Sequence, residues 1–145
     1  MAYVEREILI GAPMDTVYNY AEVPENLSQW YAGIAGVQSD GVWPQVGGKI
    51  GIQYQVSGVN LDLTATVITY NPPFEFTFQM EGMVTGTSYW TYADADGNTH
   101  LTVGFDYDLP GGALGQIADK LVVEQMNISN GEQSLANLKA ICEGG

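Results

Sequence analysis

From Ile34 onward, apolar and polar residues alternate with a period of two. Ile50, Ile52, Tyr54 and Val56 are separated by Gly51, Gln53 and Gln55, and Leu61, Leu63, Ala65 and Val67 by Asp62, Thr64 and Thr66. Phe74, Phe76, Phe78 and Met80 alternate with Glu75, Thr77, Gln79 and Glu81, and Leu101, Val103, Phe105, Tyr107 and Leu109 with Thr102, Gly104, Asp106 and Asp108. Each run predicts a strand with one buried and one wet face. The breaks between runs are turn chemistry: Ser57-Gly58, the proline pair in Asn71-Pro72-Pro73, and Asp94-Ala95-Asp96-Gly97-Asn98. Strands are therefore expected at 34–40, 48–57, 60–70, 74–82, 84–93 and 99–109, in antiparallel succession. A seventh at 3–10 carries Ile8 and Ile10 on one face.

Helical periodicity flanks this block. Pro13 suits the first position of a helix, where its missing N–H costs nothing, and Asp15 suits the first turn. Pro24 ends that helix and opens a second short one over 24–31 with Leu27, Trp30 and Tyr31. Beyond Pro110-Gly111-Gly112, Leu114, Leu121, Ile128, Leu135 and Cys142 recur every seven residues, with Ile117 and Leu138 interleaved. This is one apolar stripe on a helix of roughly 30 residues, about 45 Å long. Glu124 and Gly131 interrupt it. A helix this long needs an apolar partner, and the inner face of the sheet is the available one. The expectation is an α+β domain spanning 1–145: a curved seven-stranded antiparallel sheet around a long C-terminal helix, with two short helices after the first strand. There is no repeat, linker or low-complexity segment.

Charge narrows the partners. Seventeen acidic and four basic residues give a net charge of −13, which repels phosphate backbones and anionic membrane surfaces. No nucleic acid and no stable membrane association are expected. No apolar run reaches membrane-span length, and Glu5, Arg6 and Glu7 interrupt any leader-like stretch. Together with the one cysteine, Cys142, this suits a reducing, cytoplasmic setting. Asn26-Leu-Ser and Asn127-Ile-Ser match a glycosylation pattern by chance. A single histidine, His100, on the wet parity of its strand leaves no transition-metal constellation. Asp94 and Asp96 lack the further ligands of a calcium loop. No cofactor motif is present.

The order of elements and their punctuation resemble the START-like (SRPBCC) superfamily, the helix-grip fold, and within it the polyketide cyclase/dehydratase-like members. The resemblance is carried by the Ala12-Pro13 entry with Val17, by Trp30, and by Val46-Gly47-Gly48 before the third strand. Tyr70-Asn71-Pro72-Pro73, the Asp94–Thr99 turn, Leu114-Gly115 and Ser134-Leu135-Ala136-Asn137-Leu138-Lys139 complete it. It covers nearly the whole chain. It implies a deep hydrophobic cavity between the sheet and the long helix.

Strand parity then provides candidate lining residues: Ile52, Tyr54, Leu63, Ala65, Phe76, Phe78, Trp90, Tyr92, Val103, Phe105 and Tyr107, joined from the helix by Ile117, Leu121 and Glu124. As single residues these are core more readily than ligand contacts. Tyr54, Tyr92 and Tyr107 place hydroxyls on an apolar face and need partners there. Glu124 within the stripe is either a desolvated acid–base group or, if the stripe drifts, a surface carboxylate. With Tyr54, Tyr92 and Tyr107 it forms the candidate catalytic set. Three readings follow. The first is binding of a small hydrophobic molecule (a lipid, polyketide, aromatic or isoprenoid-like compound) by a monomer or homodimer. The second is a cyclase/dehydratase. The third is a protein-interaction domain using Val122, Val123 and Met126.

Overall fold

The computed structural model describes residues 2–43, 45–56, 59–72, 74–108 and 120–144, with the side chains at 2, 56, 59, 108 and 120–127 outside the description. Seven strands form one antiparallel sheet: β1 (Ala2–Ile10), β2 (Ile34–Ser39), β3 (Lys49–Val56), β4 (Val59–Asn71), β5 (Glu75–Gly82), β6 (Thr85–Ala95) and β7 (Asn98–Asp108). Helices α1 (Met14–Ala21) and α2 (Pro24–Trp30) follow β1, and α3 (Lys120–Gly144) closes the chain. The expected strands agree with these bounds to within two residues. The expected helical stretch 110–119, with Leu114 and Ile117, lies outside the described residues, as do the Ser57-Gly58 turn and the side chains of Leu121, Val122, Val123, Glu124, Gln125 and Met126.

The strand order β1-β7-β6-β5-β4-β3-β2 is a meander from β2 to β7, with β1 added beside β7. Strand β1 pairs along its whole length, from Ala2 opposite Tyr107 to Ile10 opposite Thr99. β1 and β2 are thus the two edges of one curled sheet, and the chain between them must cross its open side. Helices α1 and α2 make that crossing. The β6–β7 hairpin turns on Asp96 and Gly97, both at positive φ (55° and 87°) between the paired Ala95 and Asn98, the backbone that an Asp-Gly pair favours. A bulge between Val67 and Thr69 shifts β4 against β5. It leaves Ile68 exposed and sets Tyr70 opposite Phe76.

Pro13 sits one place earlier than expected. Its carbonyl accepts the first helical bond from the Val17 amide at 3.1 Å, so it is the N-cap and Met14 is the first helical residue. Pro24 does open α2. On α3 the stripe faces the sheet: Leu135 and Leu138 are fully buried, while Ile128 and Cys142 pack partly buried against the same core. The helix lies against β1, α1 and α2, and side chains fasten its middle and its C-terminal end. Arg6 of β1 pairs with Glu132 at 3.3 Å. Glu143 accepts from the Gly11 amide at 2.6 Å and pairs with Lys139.

Gly131, the second interruption of the stripe, is buried, and a methyl group there would meet nothing within 4 Å. It borders a void of about 10 Å³ between α3 and the sheet, beside Val4, Trp30 and Val103. Gly131→Ala should therefore stabilise the protein by about 1 kcal/mol through helix propensity alone. Chemical denaturation checks this, and a loss of stability would show that the void is needed.

Glu22 was invisible as a special residue in the sequence. It caps the C-terminus of α1, is only 4% exposed, and sits beside the tyrosines Tyr70 and Tyr92. Burial pushes its carboxyl up to about 7, partly offset by the Tyr70 and Tyr92 hydroxyls. The folded protein thus holds this proton more tightly than the unfolded chain, whose carboxyl titrates near 4.5. Stability contributed by the protonated form should fall as pH rises between those values and stay lower above 7, by at most about 3 kcal/mol. In urea titrations from pH 5 to pH 8, Glu22→Gln should gain on the wild type across that window. A constant difference between the two would show that Glu22 does not titrate there.

Candidate functional site

Between the inner face of the sheet and α2 with its neighbouring loops lies a partly open cavity of about 80 Å³. Its floor comes from alternate positions on successive strands. β3 contributes Ile50, Ile52 and Tyr54; β4 contributes Leu61 and Leu63; β5 contributes Phe78 and Met80. β6 adds Ser88 and Trp90, and β7 adds Phe105 and Tyr107. The roof is Leu27 of α2, Tyr31, Ile34, Trp43 and Val84. Period-two alternation is what aims these side chains inward together.

Of the residues expected from parity, Ile52, Tyr54, Leu63, Phe78, Trp90, Phe105 and Tyr107 border this space. Ala65, Phe76, Tyr92 and Val103 point inward as expected but are packed core instead. Phe76 shows why. It is fully buried, with Trp43, Tyr70, Phe78 and Trp90 all within 5.8 Å between ring centres. No room remains beside it. Val103 faces the small void under Gly131 rather than the main cavity. Ile117 and the side chains of Leu121 and Glu124 lie outside the described residues.

Trp43 is the most important wall residue that the sequence did not reveal. It lies in the β2–β3 loop, where no periodicity marks it. Asp40 shapes the loop: its carboxylate accepts from the amides of Val42 (2.8 Å), Lys49 (3.1 Å) and Trp43 (3.4 Å). The Val42 amide, with those of Lys49 and Trp43, holds that carboxyl below its usual range. Gly48 lets the loop fold back on itself, since a Cβ there would stand 2.4 Å from the Trp43 nitrogen. The Trp43 indole N–H then reaches the main-chain carbonyl of Glu22 at 2.9 Å, and its ring packs on Phe76 and Phe78.

A second device closes the roof at the α2–β2 turn. Three side chains of α3 hold residues 30–33 and the adjoining wall. Asn137 donates to the Trp30 carbonyl at 3.1 Å, the Ser134 hydroxyl accepts from the Ala32 amide at 2.8 Å, and Asn130 donates to the Tyr54 hydroxyl at 2.9 Å. Gly33, at φ 97°, passes so close to the Tyr54 ring that a Cβ would stand 2.5 Å from it. Burial raises the Tyr54 hydroxyl to about 12 despite the Asn130 bond, and raises Tyr31 further. These phenols therefore stay protonated across neutral pH.

Polar groups in the wall are few. Ser88 is buried and accepts from the Trp90 indole N–H at 3.2 Å. Among the described residues, no charged side chain borders the cavity, and no three His, Cys, Asp or Glu side chains come together. Tyr92, a candidate acid–base residue, is buried beside Glu22, behind the ring cluster, and its hydroxyl is held protonated first by burial and then by that carboxyl. His100 is half-exposed on the outer face, 3.7 Å from Glu7. No helix among the described residues is long and apolar enough to cross a membrane.

Comparison with known proteins agrees with this geometry. Solved structures that match over the whole chain include TTHA0849 of Thermus thermophilus, with 18% identity, a TM-score of 0.81 and coverage of 99% of this chain and 98% of that one. A conserved protein of Geobacillus kaustophilus matches at 14% identity and TM-score 0.79, covering 99% and 96%. Ara h 8.0201 matches at 10% identity and TM-score 0.74, covering 99% of both chains. At these identities the likeness is one of fold. No curated protein matches the sequence. The profile of the family described as polyketide cyclase / dehydrase and lipid transport matches residues 1–143, so the chain belongs to that START-like family, whose fold supports a ligand-binding role.

Proposed function

We propose that the protein binds a small hydrophobic molecule in the cavity between the sheet and its helical roof. The observation that carries this reading is the wall itself: a partly open space of about 80 Å³ bordered by aliphatic and aromatic side chains with a few hydroxyls. Such a space suits an apolar guest better than water, which needs several polar partners. The lipid-transport half of the family description supports the same reading. The described wall favours binding over acid–base turnover. Tyr31 and Tyr54 are held protonated by burial, so they serve as hydrogen-bonding groups rather than bases, and the buried Glu22 does not border the cavity.

A neutral apolar fluorophore tests the proposal. N-phenyl-1-naphthylamine should bind with one-to-one stoichiometry, brighten and shift to the blue, and receive energy from Trp43 and Trp90 at the wall. Leu63→Trp, which fills the space from its floor, should weaken that binding by about tenfold or more, while overpacking costs about 1–3 kcal/mol of stability. Equal affinity in the folded variant would place the probe elsewhere and remove the cavity from the function.

A further inference from the structure

We infer that the cavity selects an uncharged ligand carrying a hydrogen-bond acceptor oxygen, of the aryl ketone or ester class, and that Ser88 is the specificity-determining residue that reads this oxygen. The inference rests on the ligand-binding reading above.

Ser88 stands on β6, 5% exposed, with its side chain at the cavity wall. Trp90, two residues along and on the same face of the strand, donates its indole N–H to the Ser88 oxygen at 3.2 Å. An indole nitrogen only donates, so this bond fixes the direction of the pair. The serine oxygen accepts from within the wall, and its own proton has to go elsewhere. Among the described residues Ser88 makes no other side-chain hydrogen bond. A buried hydroxyl proton without an acceptor is unfavourable. The space that Ser88 borders is where an acceptor can be supplied. A ligand offering only an N–H there would leave the serine proton without an acceptor.

Two further observations bound the ligand. No charged side chain among the described residues borders the cavity, so a carboxylate or ammonium would leave water with only neutral hydroxyls to receive it and no counter-charge, which is strongly unfavourable. Beside Ser88, the rings of Trp43, Phe78 and Trp90 stand edge to face or tilted at 5.3 and 5.5 Å between centres, a surface that suits a flat apolar body. An uncharged ring with an adjoining carbonyl meets both conditions.

The test uses acetophenone, labelled with ¹³C at the carbonyl, and isopropylbenzene, which has nearly the same shape and no acceptor. Both are titrated into the wild type and Ser88→Ala and followed by protein NMR. Ser88→Ala should weaken acetophenone by about five- to tenfold, the range of one net hydrogen bond, and change isopropylbenzene by less than about twofold on the same scale. Each ligand is compared with itself, so their different water solubilities cancel. In the wild type the bound carbonyl resonance should move downfield from its position in hydrocarbon solvent, a sign of a hydrogen-bonded ketone that does not depend on the variant's stability. If both ligands weaken alike, or the bound carbonyl keeps its hydrocarbon shift, the role of Ser88 is overturned and the cavity remains a general apolar site. If N-phenyl-1-naphthylamine binds and acetophenone does not, the ligand class is overturned alone. If none of the three binds, the cavity reading and this inference fall together.

Discussion

The pairing of β1 with β7 is the constraint on which the rest of the molecule depends. It makes β1 and β2 the opposite edges of one curled sheet. The chain between them has to cross the whole open side, and only α1 and α2 are available for the crossing. Helix α3 then lies over β1 and both short helices. Among the described residues, three helices lie over this concave surface. A residual space under the α2–β2 turn follows from the connectivity, and side-chain choice decides only how large it is and what lines it.

That choice is visible in the ring cluster. Phe76 is the fixed point, gripped by Trp43, Phe78 and Trp90. One side of the cluster is close-packed, with Tyr70 and Tyr92 leading to the buried Glu22. On the other side, the same Trp43, Phe78 and Trp90 rings turn a face to empty volume. An unfilled apolar space of this size costs at least on the order of 2 kcal/mol relative to a packed core. A bound apolar molecule recovers that loss, which couples occupancy to stability. The polar fastenings around the space belong to the same arrangement. Asn130, Ser134 and Asn137 satisfy backbone and hydroxyl groups of the roof that tight packing would otherwise have had to exclude from water unpaired.

The strands were legible because alternation is a property of neighbours in sequence, and the inward set at Ile52, Leu63, Phe78, Trp90 and Tyr107 followed from it. Which inward residues border empty space was not legible. Phe76 and Phe78 share parity, yet one is core and the other wall, because that depends on how far along the strand the roof stands. Ser88 had a signal that polarity hid: it shares the parity of Trp90 and Tyr92. Ile50 and Leu61 likewise lie in runs whose other members were chosen. Trp43 had no periodic signal at all. It is placed by Asp40 and Gly48 through a loop whose shape is a matter of backbone hydrogen bonds. Tyr70 reaches the inner side through the bulge at Ile68, which reverses the parity of β4, and no count of alternation anticipates a bulge. Glu22 looked like the polar end of a short helix until Tyr70 and Tyr92 came round to it.

Ser88, Glu22 and Gly131 are three departures from an optimal core, and they are not equivalent. Gly131 leaves a void of about 10 Å³ between α3 and the sheet, of the size of a single water. Glu22 places a carboxyl beside Tyr70 and Tyr92 and does not border the cavity. The end of α1 that it caps is tied to the wall by the bond from Trp43 to the Glu22 carbonyl. Ser88 alone combines burial, a fixed hydrogen-bond direction and contact with the open space. A protein selected only for stability would replace Gly131 with alanine and Glu22 with glutamine at small structural cost, whereas removing the Ser88 oxygen would also leave the buried Trp90 indole N–H without its acceptor. The departure worth retaining for function is the one whose unmet valence points at the place where a guest would sit, and Ser88 meets that condition.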